Sequence, residues 1–441
     1  MKALIASTPL MGHLNPLLAI GYMLIKEGHE VIGLSSSVMR SRIEGVGAEF
    51  RPFPEQADLD LRDIAAAFPE IKNVSPGAEM SRFYMERVFI DPIRAQHSGL
   101  REVLRNFPAD VIIADNGFFG AFPMLLGPRS ERPAIVFCGV SLLLSRRDDG
   151  APHLGGLPPA SSDVQREEYA AVYNEHEKAV FDPIAHYLNK CLADLGVQPL
   201  PMNFFDAMVA LPDAYLQMTV PSFEFPRRNL PASVHFVGAL PIIPNQAPPP
   251  PWAKELDGSR KVVLVTQGTL SNHNFNQLVA PTLAALANEP DVLVVITAGG
   301  RPIDAIPGPI PSNARLASYL PFEWILPKVD VFVTNGGYGS VNQALSFGVP
   351  LVTAGLTEDK IDVNVRVAWS GVGINLATNE PTSEALREAI RAVLDKPNYR
   401  ARALAMAKEF GSIDTRSEIL RILTEVSHVP NDRGAEPNLR V

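Results

Sequence analysis

Short apolar runs alternate with stretches of helical period along most of the chain. Residues 3–7 form the first such run, with the length and composition of a buried parallel strand. After a turn, Leu14, Leu17, Leu18, Gly21, Leu24 and Ile25 share one face of a helix predicted from about Asn15. Gly28 ends that helix and residues 31–35 make the next strand, so a βαβ unit opens the chain. Residues 110–114 and 134–138 add two strands. The segments 52–100 and 141–215 read as helical and irregular, the kind of insertion that builds a binding surface. Pro241, Pro244, Pro248, Pro249, Pro250 and Pro251 then crowd one short stretch, predicted to be extended, stiff and solvated. Beyond it the alternation restarts, with strands at 261–265, 292–296, 329–333 and 350–353. The pattern predicts an α/β chain of two doubly wound, Rossmann-like domains facing across a cleft. They cover 1–240 and 259–410, joined by a linker at 241–258. Residues 411–441 form a C-terminal helix, its return to the first domain left open, and a tail. Ligands in such sheets collect at the carboxyl ends of the strands.

Composition narrows the function classes. The 441 residues suffice for two cores, and the net charge of -9 comes without a lysine or arginine cluster, which argues against nucleic acid as a partner. Cys138 and Cys191 stand in unrelated contexts, with neither metal-ligand spacing nor a disulfide framework, which suits a reducing cytosol. The first apolar run is too short for a signal peptide. No apolar stretch reaches the roughly 20 residues of a membrane helix. The expectation is a cytoplasmic protein without stable membrane insertion, its oligomeric state open.

Four segments carry candidate chemistry. Gly12-His13-Leu14-Asn15-Pro16 follows the first strand, and Pro16 suits a first helical turn, placing His13 beside a helix N-terminus. Histidine there has the chemistry of a general base near neutral pH, although an isolated histidine more often caps a helix or lies on the surface. Asp115 ends the strand at 110–114. A carboxylate that meets an imidazole holds its tautomer and balances its charge, while a strand-end aspartate also commonly caps the next helix. Spacing puts both on the same side of one sheet and does not show that they meet. Residues 335–345, Asn-Gly-Gly-Tyr-Gly-Ser-Val-Asn-Gln-Ala-Leu, bring glycines to a helix start, where backbone N–H groups suit a phosphate. Thr266-Gln267-Gly268-Thr269 is a second small polar loop. Neither is the dinucleotide fingerprint of a dehydrogenase.

In order and spacing these segments resemble the inverting nucleotide-sugar glycosyltransferases that include plant secondary-metabolite glucosyltransferases and bacterial macrolide glycosyltransferases. Tyr319-Leu320-Pro321-Phe322 stands at the family's Trp-x-Pro-Gln, Asn335 to Ser340 at its His-x-Gly-x-x-Ser, Gly348-Val349-Pro350 at its Gly-Val-Pro, and Glu358-Asp359-Lys360 at its acidic residue and Gln. Gly12-His13-x-x-Pro16 matches the catalytic histidine and Asp115 its partner. The resemblance implies the GT-B fold, an acceptor-binding first domain and a donor-binding second one. It implies single displacement with His13 as base and Asp115 as its partner. Gly268, Thr269, Tyr319, Leu320, Asn335, Gly337, Tyr338, Gly339, Ser340, Gln343, Glu358, Asp359 and Lys360 would bind the donor, and Gly12 and Phe118 the acceptor. His153, in Ala151-Pro152-His153-Leu154-Gly155-Gly156, is a further acceptor candidate, although that segment reads more readily as a mobile loop. Four positions depart from the pattern. Asn335 replaces a charged phosphate-binding histidine, Gln343 a ribose-gripping glutamate, Lys360 a sugar-reading glutamine, and Phe322 another glutamine. Both UDP- and dTDP-sugars therefore remain candidate co-substrates, with a small hydrophobic acceptor and neither cofactor nor metal.

Two other classes use the same architecture, a nucleotide-sugar epimerase and a non-catalytic partner of another transferase. Asp58-Leu59-Asp60 reads as a solvated charge cluster more readily than as a metal site, and Arg146-Arg147-Asp148-Asp149 as a neutralised surface loop. Leu142, Leu143 and Leu144 are expected to be buried.

Overall fold

The computed structural model describes residues 1–240, 243, 248–269 and 272–428. Pro241 and Pro244 of the linker and the tail from 429 lie outside the described residues.

The first sheet holds β1 (Lys2–Ala6), β2 (Glu30–Ser35), β3 (Glu49–Pro52), β4 (Val111–Asp115), β5 (Ala134–Gly139), β6 (Ala214–Gln217) and β7 (Val234–Phe236). Their order across the sheet is β3-β2-β1-β4-β5-β6-β7, and every pair is parallel. The second sheet holds β8 (Lys261–Thr266), β9 (Val292–Thr297), β10 (Ala314–Ala317), β11 (Val331–Thr334), β12 (Leu351–Thr353) and β13 (Gly373–Asn375) in the order β10-β9-β8-β11-β12-β13. The two orders share one plan. Each sheet grows one way from its first strand and then reverses, so loops diverge between β1 and β4 and between β8 and β11. A crevice opens at each reversal. The two-domain GT-B arrangement is thus present.

Strand side chains alternate between the two faces of each sheet. Leu4, Ala6, Ile112 and Ala114 enter one core, while Ala3, Ile5, Val111 and Ile113 enter the core on the opposite face. Helices cover both faces, which is why these strands read as unbroken apolar runs. The helix Thr415–His428 returns to the first sheet, where Ile419, Ile422 and Leu423 join the core that holds Ile113 and Val136.

Three local expectations need correction. The first helix starts at Met11, not near Asn15, so Pro16 lies within it and His13 belongs to its first turn. A proline this close to the N-terminus removes a single intrahelical donor and leaves the helix otherwise intact. The linker is solvated only in part: Pro248, Pro249 and Pro251 are exposed as expected, but the chain that follows docks on the second domain. Pro251–Glu255 forms a short turn, and the Trp252 indole donates to the Leu316 carbonyl at 3.3 Å and packs by Trp324. Arg147 is not on the surface either. It is buried, pairs with Asp149 at 2.6 Å, and lies 4.5 Å over the Phe225 ring. Leu142, Leu143 and Leu144 are buried as expected.

The domains are joined through buried polar contacts. Glu224 of the first domain meets Arg366 of the second at 3.0 Å, each nearly inaccessible, and the Arg366 guanidinium lies 4.0 Å from the Phe225 ring. Glu224 also accepts from the Leu143 N–H. Asp362 accepts the N–H groups of Gly155 and Gly156, each at 3.0 Å. Removing one member of a buried ion pair strands the other charge, at a cost of about 3–5 kcal/mol. Glu224→Ala is therefore expected to lower the unfolding free energy, obtained from denaturant titration at pH 7, by an amount in that range. A variant within 1 kcal/mol of the parent, taking that as roughly a surface-level effect, would show that this pair does not hold the domains.

Candidate active site

The loops after β1 and β4 bring His13 and Asp115 together across the first crevice. His13 Nδ1 lies 2.7 Å from Asp115 Oδ1, and Asp115 is fully buried. Asp115 is held from several directions. The Thr8 N–H donates to Oδ2 at 2.7 Å, and the Thr8 hydroxyl and the Gly117 N–H donate to Oδ1 at 3.1 and 3.0 Å. A carboxylate so fixed accepts from Nδ1–H and leaves His13 Nε2 with its lone pair free. The imidazole is partly exposed, with the half-buried Phe89 ring 5.7 Å away. The closeness depends on Gly117. A Cβ there would stand 3.1 Å from both Asp115 Oδ1 and His13 Cε1, and 2.8 Å from Phe89 Cε1.

The second crevice is built by the turns after β8 and β11. The Asn335 amide donates to the Gln267 carbonyl at 2.8 Å and ties the two turns together. Gln267 also donates to the Asn274 carbonyl at 3.0 Å. Gly268 has φ 72° and Gly336 φ 97°, conformations open to glycine, and a Cβ on Gly336 would collide with Asn364 at 1.9 Å. The helix Tyr338–Ser346 begins here with Gly337 as its N-cap residue, and the Ser340 hydroxyl donates to the Gly337 carbonyl. The N–H groups of its first turn have no acceptor within the helix and suit an anion.

The Asp359 carboxylate accepts from the Ser141 hydroxyl at 2.5 Å, across the domain boundary. Burial pushes its carboxyl above the usual range, opposed by that hydrogen bond and by the field of His13. The His13 imidazole of one domain and a carboxylate of the other thus face the same cleft.

Comparison with known proteins places this arrangement. Residues 281–426 match the model described as the erythromycin biosynthesis protein CIII-like C-terminal domain. UDP-glycosyltransferase 2 of Phaeomoniella chlamydospora is 37% identical over 439 residues, covering 96% of this chain and 95% of the relative. The 4'-demethylrebeccamycin synthase of Lentzea aerocolonigenes is 37% identical over 94% of this chain and 96% of its own. The chain belongs to the UDP-glycosyltransferase family. In fold it is similar to the calicheamicin glycosyltransferase CalG4, with a TM-score of 0.73 at 20% identity, over 96% of this chain and 98% of that one.

For a glycosyltransferase, the expected residues divide into those that face the cleft and those that do not. Tyr319 is exposed and free to stack, whereas the neighbouring Leu320 is buried and anchors it. Gln343 is half-buried on the second turn of its helix, and Thr269 is exposed. Gly12 lies beside His13, and a Cβ there would meet open space. Tyr338 does not offer its side chain to a donor. It is buried, and its hydroxyl meets Gln217 of the first domain at 2.5 Å. Phe118 presents no face to an acceptor, being fully buried and stacked on Phe53. His153 is buried among Tyr173, Phe181 and Phe205, and burial pushes its imidazole down to about 3. Asp58 accepts from the hydroxyls of Ser36 and Ser37 and from the Ser37 N–H, fastening its loop to the turn after β2, and Asp60 pairs with Arg62 within the loop.

Thr8, Gly117, Phe89 and Ser141 were not foreseen. Thr8 and Gly117 directly follow strands that the sequence shows, so their position was available. Phe89 and Ser141 lie in irregular insertions that carry no periodic signal.

Gly117→Ala should push His13 and Asp115 apart by a few tenths of an ångström without breaking the fold. We expect kcat to fall about ten- to a hundredfold, in keeping with the cost of misplacing a catalytic group, while donor affinity holds. Wild-type kcat in the folded variant would show that this contact does not set the geometry.

Proposed function

We propose that the enzyme transfers a glycosyl group from a UDP- or dTDP-sugar to a hydroxyl of a small apolar acceptor, with inversion at the anomeric carbon and without a metal ion. The observation that carries this reading is the His13–Asp115 pair at 2.7 Å, with Nε2 left free at the first crevice. His13 Nε2 takes the acceptor hydroxyl proton as that oxygen attacks the anomeric carbon. The bond from this carbon to the β-phosphate oxygen breaks, and its electron pair leaves with the nucleoside diphosphate. Asp115 balances the imidazolium. The products are the glycoside and the nucleoside diphosphate, and His13 returns its proton to solvent.

The donor lies along the second crevice. Tyr319 stacks on the base, uracil and thymine alike. Gln343 meets the ribose as a neutral amide, which weakens any advantage of a 2′-hydroxyl, because charge-assisted bonds are roughly twice as strong. The N–H groups at 338–340 hold the diphosphate, and Asp359 holds the sugar. Phe89, beside His13, favours an apolar acceptor. Asp58 is engaged with the turn after β2 and Asp60 with Arg62, and both stand outside this scheme. The setting proposed is the cytosol, where the two free cysteines stay reduced. Among the described residues no helix is long and apolar enough to cross a membrane.

Loss of a general base costs about 10²–10⁴-fold. His13→Ala is expected to lose kcat in that range while its Kd for UDP stays within about a factor of two, the error of such a titration. Near-normal turnover of an alcohol acceptor would remove His13 from the mechanism.

A further inference from the structure

A sugar nucleotide brings a diphosphate to the second crevice, and departure of the leaving group adds charge to it. Asn335 carries no charge, and its amide is already engaged with the Gln267 carbonyl. The helix Tyr338–Ser346 offers oriented N–H groups, equivalent to only a partial charge. A full positive charge comes from the next strand. Lys360 begins the helix Lys360–Trp369, just past β12, and β12 is the neighbour of β11.

Its side chain runs inward. Lys360 is buried, and its Cδ lies 3.3 Å from where a Cβ on Gly355 would stand. The same point is 2.2 Å from the Asn335 carbonyl oxygen, so lysine stem, glycine and phosphate turn are packed together. Gln267, Asn335, Gly355, Thr357 and Lys360 line one small pocket, and of its described lining residues Lys360 alone is cationic. Burial pushes its ammonium down to about 8, so the charged form gains from a strong anionic partner. Within the chain it pairs with Glu358, and its ammonium lies 3.5 Å from the Thr357 hydroxyl. The Glu358 side chain is 61% exposed, and its backbone is held at φ 55°, a left-handed conformation that costs a non-glycine residue energy. A solvated carboxylate on a strained turn is readily exchanged.

We propose that Lys360 is the diphosphate-binding cation of this enzyme, exchanging Glu358 for the diphosphate when the donor binds. The inference rests on the glycosyltransferase reading above and narrows it. Lys360 acts on the phosphates rather than on sugar hydroxyls, where the family pattern would put a residue at this position.

The test is calorimetric titration of the full-length protein with UDP and with uridine. Lys360→Met should weaken UDP about tenfold or more and leave uridine unchanged, because only the diphosphate meets the ammonium. Lys360→Arg should recover most of the loss. Glu358→Gln, which removes the competing carboxylate, should tighten UDP and keeps the question open to measurement if the methionine variant folds poorly. UDP affinity within twofold of wild type in Lys360→Met, taken as roughly the titration error, would overturn the proposal. An equal loss for UDP and uridine would overturn it too. So would an unchanged UDP affinity with a raised KM for the sugar nucleotide, which would put Lys360 on the sugar. A wild-type protein that binds neither UDP nor dTDP would overturn the donor reading itself, a result distinct from all of these.

Discussion

A parallel sheet that grows first to one side and then to the other must send consecutive loops apart at the reversal. In this chain that happens between β1 and β4 and again between β8 and β11. Backbone pairing sets the location of both crevices before any catalytic side chain is considered. Ala3 to Ala6 register with Val111 to Ala114, so the loops after these two strands leave the sheet side by side. Thr8 and His13 follow one strand, and Asp115 and Gly117 lie at the end of the other. Their hydrogen bonds join neighbours that the sheet had already brought together. Asn335 and Gln267 stand in the same relation on the second sheet.

Much of this was legible in the sequence because parallel strands covered on both faces write long apolar runs. The central strands of both sheets were found that way, and with them the positions of His13, Asp115 and the glycine turns. The strands that escaped, β3, β6, β7, β10 and β13, are short, and most are only partly buried, so they leave no continuous run. The site was legible where it depends on strand ends and obscure where it depends on insertions. Nothing in the pattern around 89 or 141 says that Phe89 packs by His13 or that Ser141 reaches Asp359. Phe118 and His153 show the opposite failure. Their place near strand ends and loops suggested a ligand surface, but core packing claimed both. Tyr338 lies in the phosphate turn as expected, yet its ring serves the joint between domains.

Charge in the cleft is arranged as the chemistry needs it. In the proposed mechanism the base is an imidazole whose tautomer Asp115 fixes, so proton abstraction requires no rearrangement of its partner. In the same scheme the second crevice combines backbone N–H groups with a buried lysine, groups in place before charge develops on a leaving diphosphate. Glu224 and Arg366, paired across the boundary, join the two domains that carry these groups.

The central claim is that one base and one leaving group act on opposite sides of the anomeric carbon in a single displacement. The stereochemistry of the product tests it most directly. Proton NMR of the glycoside formed from an α-linked sugar nucleotide should show the β-anomer as the initial product. An α-linked glycoside would require a second displacement or a front-side path, and would contradict the role assigned to His13 and Asp115.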